Sequence, residues 1–243
     1  MFRVFIAAVW AGLLAGSPPA HAGAPSARSS PRIEVLTMGP GDDAFSKFGH
    51  AAICVDNQCF NYGTADFSTP LPLSYRFLRG RAEFWVSVSS RETMLSAYER
   101  QDRTLYTQVL PLSDDQALEL AARLFRDAQP ENRFYTYHHF ADNCTTRVRD
   151  HIDAITHGRL RAGTAELYPQ PMRALLREGF ATNLALAVVG ELALARTVDR
   201  RPTLWQAMFL PRVLREQIDE RLGAKPQVLY QRRAPLGGGD VDV

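Results

Sequence analysis

The sequence predicts an α+β domain, with a small antiparallel sheet and a mainly helical C-terminal extension. Short runs of β-forming residues separated by turn signals fill the first half of the chain, and apolar residues at helical spacing take over after Ser113. Length sets the scale: after an N-terminal export signal, about 220 of the 243 residues remain, enough for a full core with an extension.

Arg3 leads into an apolar run from Val4 to Gly16, and Ser17-Pro18-Pro19-Ala20-His21-Ala22 closes it in the small-x-small pattern that signal peptidase cleaves. Residues 1–22 therefore read as a signal peptide, which predicts a periplasmic, oxidising location. No cysteine follows the apolar run closely, so the mature chain is not expected to be a lipoprotein itself. Residues 23–32, rich in Ala, Ser and Pro, read as a flexible leader. The core is expected over 33–160 and the extension, packed on it, over 161–243.

Strands are predicted at Ile33 to Met38, Gly49 to Val55, Gln58 to Tyr62, Ala82 to Ser89 and Leu105 to Leu110, each short and rich in β-formers. Ser113 and Gln116 have the spacing of a capping box. Ala117, Leu120, Ala121, Leu124 and Phe125 then recur at helical spacing until Pro130 ends the segment. A second helix starts near Cys144, where Asx residues can cap it and Val148, Ile152 and Ile155 form one stripe. From Glu166 onward the chain is mostly helical in character, with Val228 to Gln231 as a final strand, and no internal repeat is visible.

Cys144 falls in the first turn of its helix. Free backbone N–H groups and the positive end of the helix dipole favour thiolate over thiol there, and the same N–H groups can hold an oxyanion. Upstream, Asp56-Asn57 reads as a two-residue hairpin loop, which sets Cys54 opposite Cys59 and Ala52 opposite Asn61. His50 and Asn61 then share a face as diagonal neighbours, close enough for Asn61 to bond one ring nitrogen while the other faces the thiol. The hairpin also predicts a Cys54–Cys59 disulfide, leaving Cys144 free. Candidate nucleophile, base and orienter are thus Cys144, His50 and Asn61, with Asp142 an alternative orienter.

Arg147 follows Cys144 on the same helical side, where it can bind a phosphate or an oxyanion or pair with Asp142 or Asp150. Asn143 is a second candidate substrate-binding residue. Each candidate also has a structural reading: core packing for Cys144, a bonded strand-end side chain for His50 and Asn61, helix capping for Asp142. A formal charge of +2 gives no reason to expect nucleic-acid binding, and every basic residue but Lys47 and Lys225 is an arginine. No metal and no cofactor is expected, because the adjacent His138 and His139 would point to opposite faces of an extended segment. Phe180 to Ala195 is mostly Ala, Leu and Val but too short to span a bilayer.

Several of these segments together carry a resemblance. Phe48-Gly49-His50, Asn61-Tyr62-Gly63-Thr64, Phe77-Leu78-Arg79-Gly80, Tyr135-x-Tyr137-x-x-Phe140-x-Asp142-Asn143-Cys144-Thr145-Thr146-Arg147-Val148-Arg149-Asp150 and Phe209-Leu210-Pro211 resemble, in order over roughly 33–233, the periplasmic domain of the bacterial lipoprotein N-acyltransferase Lnb. That family is similar to the circularly permuted papain-like (NlpC-like) hydrolases and acyltransferases, in which the histidine strand precedes the cysteine helix. The resemblance implies such a core, and acyl transfer from a phospholipid through a thioester on Cys144 to an amine, in Lnb that of a lipoprotein. It also implies peripheral contact with a membrane, for which Phe180 to Ala195 or the Trp205 and Phe209 region, with Arg200 and Arg201, are the expected surfaces. Three classes stay open on the sequence: a cysteine acyltransferase or lipid hydrolase, a cysteine peptidase or amidase acting on cell-wall peptides, and a non-catalytic envelope module.

Overall fold

The computed structural model describes residues 30–43, 46–66, 68, 70–180 and 199–236. The expected signal peptide, most of the leader, and Phe180 to Ala195 beyond its first residue lie outside them.

The fold is α+β, an open antiparallel sheet with helices. Strands β1 (Ile33–Met38), β2 (His50–Val55), β3 (Gln58–Thr64), β4 (Glu83–Ser90), β5 (Leu105–Val109), β6 (Phe134–Thr136) and β7 (Gln227–Tyr230) stand in the order β6-β4-β3-β2-β1-β5-β7. β1 and β2 are buried at every residue, as strands at the middle of a sheet covered on both faces must be. That is why Ile33-Glu34-Val35-Leu36-Thr37-Met38 and His50-Ala51-Ala52-Ile53-Cys54-Val55 carry so few polar side chains. The buried Glu34 among them is held by Arg32 and Arg91, each at 2.7 Å.

The helices are α1 (Pro70–Leu78), α2 (Arg91–Arg100), α3 (Asp114–Asp127), α4 (Cys144–Ile155), α5 (Met172–Phe180), the single turn α6 (Leu204–Ala207) and α7 (Pro211–Leu222). Side chains of α3, α4 and α7 join one face of the sheet in the larger core, where Leu120, Leu124, Val148, Ile152 and Leu214 are fully enclosed. The other face carries a smaller cluster of Leu36, Met38, Ala52, Cys54, Cys59, Met94 and Leu105, flanked by Leu95 and Tyr98 of α2. The segment after residue 161 adds to the same body: α7 packs on β1, β5 and α4, and β7 extends the sheet beyond β5.

The structure has three elements that the sequence reading does not: β6, α1 and α2. Each lacks a local signal. α2 buries only Met94 and so shows no wide apolar stripe, α1 opens on Pro70 and Pro72, and β6 is three residues long. The capping box of α3 is present as read, Ser113 Oγ accepting from Gln116 N and Gln116 Oε1 from Ser113 N.

One expected surface is corrected. Phe209 is 4% exposed, so it offers nothing to a bilayer, and Trp205 lies against the guanidinium groups of Arg149 and Arg161 at 4.0 and 4.7 Å. Phe209-Leu210-Pro211 instead starts a helix: Pro211 fills the first position of α7, where its missing N–H costs nothing. Among the described residues no helix is long and apolar enough to cross a membrane.

Asp56 takes a left-handed φ of 51°, as a two-residue loop of this hairpin requires, and β2 and β3 register Cys54 against Cys59. The two are disulfide-bonded, with a Cα–Cα separation of 3.9 Å, and Cys144 is free. Mature protein denatured without reductant should therefore show one reactive thiol, mapping to Cys144. Replacing both Cys54 and Cys59 by Ser should cost about 2 kcal/mol in chemical denaturation, the closure entropy of so short a loop.

Candidate active site

The start of α4 is fixed before any chemistry is considered. Asn143 caps it: its Oδ1 accepts from Thr146 N at 2.8 Å, and Thr146 Oγ1 accepts from Asn143 N at 2.7 Å. Asn143 Nδ2 donates to the carbonyls of His139 and Phe209, tying the helix start to the turn before it and to the start of α7. Cys144 is the first residue inside this cap, half-buried against the larger core. The amides of Cys144 and Thr145 lie at the open end of the helix, where no helical carbonyl reaches them.

β2 and β3 supply the other half of the site by separating. They are registered at Val55↔Gln58, Cys54↔Cys59 and Ile53↔Phe60, and no further. Continued pairing would give the Ala51 amide to the Tyr62 carbonyl. Instead the Tyr62 carbonyl accepts from the Tyr135 hydroxyl, and the Ala51 amide donates to the Cys144 sulfur. A break in register between β3 and β4 from Asn61 to Thr64 accompanies the separation.

His50 and Asn61 meet at this opening. His50 Nε2 lies 2.8 Å from Asn61 Oδ1, which also accepts from Gly63 N at 2.8 Å. Since the Gly63 amide can only donate, that Asn61 atom is the oxygen and His50 Nε2 carries the proton. Nδ1 is left for the thiol. Gly63 makes room for the ring, because a Cβ there would stand 2.4 Å from His50 Cε1. Tyr98 of α2 stacks on the imidazole with ring centroids 5.9 Å apart, and Arg103 lies over the Tyr98 ring at 4.8 Å.

Burial pushes the Cys144 thiol up. The charge of His50, a hydrogen bond from its ring, the Ala51 amide and the Thr145 hydroxyl outweigh it and bring the thiol down to about 7. The Thr145 oxygen is 3.8 Å from the sulfur. Burial drives the neighbouring Tyr135 and Tyr137 phenols well above their usual range, and the Cys144 charge adds to it. They remain neutral donors and walls, not bases. The site therefore favours thiolate at a lower pH than an ordinary thiol does.

The structure thus brings Cys144, His50 and Asn61 together. The other candidates have structural partners. Asp142 does not reach His50; its carboxylate takes a two-pronged bond from Arg147, at 2.6 and 2.9 Å, and Arg147 stacks on Tyr135 at 4.0 Å. His138 Nδ1 accepts from the amides of Phe140 and Ala141, while His139 packs edge-on to Phe77. Sequence reasoning misses Tyr98, Arg103, Thr145, Gly63 and the Tyr135 bond. Gly63, a glycine inside a strand, which marks a close approach, is a local signal, while Tyr135 and Thr145 stand in the motifs that carry the resemblance without their contacts being legible there.

Fold and site together define an α+β domain with a free cysteine at a helix start and a histidine on an earlier, central strand. The family model of the Lnb N-terminal periplasmic domain matches residues 25–178, and the chain belongs to that family. It is a periplasmic domain with an Lnb-related role. Comparison with curated proteins and with solved structures finds no match.

Alkylation of Cys144 by iodoacetamide, followed against pH, should show a midpoint near 7, with the rate falling about tenfold per pH unit below it as the thiolate is protonated. In His50→Ala burial loses its main opponent, so the midpoint should move up to or beyond the ordinary thiol value near 8.5. Gly63→Ala should displace the ring and lower the alkylation rate at pH 7 by about tenfold, with the fold intact by circular dichroism.

Proposed function

We propose that this domain is a cysteine acyltransferase with a permuted papain-like core, which takes an acyl chain from a phospholipid onto Cys144 and passes it to an amine. The observation that carries the reading is a thiol lowered to about 7 at a capped helix start, facing a histidine whose other nitrogen is fixed by Asn61. Membership in the Lnb family supports lipids as substrates and the amine of a lipoprotein as acceptor.

The groups suffice for the chemistry. Cys144 Sγ as thiolate attacks the ester carbonyl, and the carbonyl π electrons move onto oxygen, facing the amides of Cys144 and Thr145 at the helix end. The tetrahedral adduct expels the lysophospholipid alkoxide, which takes the proton from His50 Nδ1 and leaves as an alcohol. A thioester remains on Cys144, and His50 is neutral with its lone pair on Nδ1. An incoming amine attacks the thioester, gives its proton to Nδ1, and departs as an amide while the thiolate–imidazolium pair is restored. Asn61 holds the ring in one tautomer throughout, the role of an orienting group in a triad.

Intact-mass analysis after incubation of the mature protein with phospholipid vesicles should show an increment of one acyl group on Cys144. Cys144→Ser should show none, His50→Ala should fall at least about a thousandfold, and the double variant should lose little more, because the two residues act as one unit. Cleavage of cell-wall peptides by protein that takes no acyl group from any lipid would replace this reading with that of a peptidase.

A further inference from the structure

Arg103 is buried at 4% exposure in the turn between α2 and β5, beside the site but outside the chemistry just described. Its position is over-determined. Nε donates to the Gly39 carbonyl at 2.9 Å, its plane lies on Tyr98, and its stem is covered by Gly41, where a Cβ would come within 3.1 Å of Arg103 Cδ. Yet among the described residues Nη2 is buried without a hydrogen-bond partner. A guanidinium is the side chain least able to shed its charge, and leaving one of its donors dry and idle is costly. Such an arrangement is stable when something outside the chain completes it.

The missing partner is an acceptor, and an anion matches the charge. Among the described residues no carboxylate is hydrogen-bonded to Arg103; Asp43 and Cys144 act on it only at a distance, and the one other arginine that acts on it, Arg232, is itself paired with Asp42. Arg147, the arginine nearest Cys144 in sequence, has its fork committed to Asp142. Arg103 lies over Tyr98 at 4.8 Å, Tyr98 stacks on His50 at 5.9 Å, and His50 bonds the sulfur, so one aromatic ring stands between the idle donor's guanidinium and the histidine that faces Cys144. In a glycerophospholipid only a few bonds separate the acyl ester from the phosphodiester, so one molecule can engage both ends of that stack.

We propose that Arg103 Nη2 receives a phosphodiester oxygen of the acyl donor, making Arg103 the residue that selects an anionic glycerophospholipid and sets its ester over Cys144. The proposal rests on the acyl-transfer reading for its donor, but the anion site can be tested separately. Arg103 touches no reacting atom; it is a binding residue.

The readout is a ratio that cancels any general loss of thiol reactivity: the rate of Cys144 acylation by phosphatidylglycerol vesicles divided by that by diacylglycerol in neutral carrier vesicles. In the wild-type protein the ratio should be about ten or more, and in Arg103→Gln it should fall towards one, the loss expected for a charge-assisted hydrogen bond. Arg103→Lys, which keeps the charge and loses the fork, should be intermediate, and it serves alone if the Gln variant does not fold. A wild-type ratio near one, or an unchanged ratio in the variants, overturns the proposal. Independently of acylation, sn-glycerol 3-phosphate should slow iodoacetamide alkylation of Cys144 in the wild type and not in Arg103→Gln. That result without any acylation by lipid would retain the anion site and remove the acyltransferase. Equal protection by inorganic phosphate would show a site for free phosphate and overturn the lipid assignment.

Discussion

Everything distinctive in this structure depends on one missing ladder bond. β2 and β3 are held by a two-residue loop and a disulfide at one end, and after Ile53↔Phe60 they separate. Two central strands with an unpaired amide and carbonyl would be unstable, since buried backbone groups need partners. Here both are satisfied from elsewhere: Tyr135 donates to the Tyr62 carbonyl, and the Ala51 amide turns to the sulfur. The opening matters because of where the residues lie. By strand alternation His50 and Asn61 belong to the side of Ala52 and Cys54, whereas Cys144 packs with the larger core on the other side. They meet only where the sheet has parted.

The segments that resemble the Lnb family correspond to supports of that opening. Gly49, at a left-handed φ of 84°, lets the chain turn into β2 where a Cβ would strike the Met38 carbonyl at 2.5 Å. Gly63 leaves space for the imidazole, Tyr135 closes the Tyr62 carbonyl, and Phe140 with Phe209 forms an edge-to-face pair at 5.2 Å beneath the Asn143 cap. Few of these residues would touch a substrate. Most hold Cys144 and His50 in register across a sequence separation that local structure cannot bridge.

That separation also marks what a single sequence discloses. β1 is read at its observed bounds, the α3 capping box is read in full, and Cys54 opposite Cys59 follows from counting away from Asp56-Asn57, because each depends on neighbours a few residues apart. Placing Asn61 beside His50 rests on the same local register. What sequence does not show is the parting of β2 from β3, which turns on Tyr135, 73 residues from Tyr62. Nor does it show the stack of Tyr98, on a helix with one buried side chain, with Arg103 in the turn that follows. The lowered thiol is expected from the helix start alone, while in the structure the charge of His50 is the first influence that lowers it. Long-range contacts of this kind have no period and no motif.

The hairpin that opens at His50 is closed at Cys54, and this has a redox consequence. A thiolate is the attacking species in thiol–disulfide exchange, and Cys144 is a free thiol lowered to about 7 in the same chain as a disulfide, within an oxidising compartment. Three residues of β2 lie between His50 and Cys54, four steps or about 13 Å of strand. Both bonded sulfurs are enclosed in the smaller cluster with no exposure, while the thiolate stands among the side chains of the larger one. The sheet therefore works as an insulator. Scrambling between Cys144 and the disulfide demands that β2 and β3 unzip from the pinned end, so the folded state itself keeps the free thiol apart from the bonded pair.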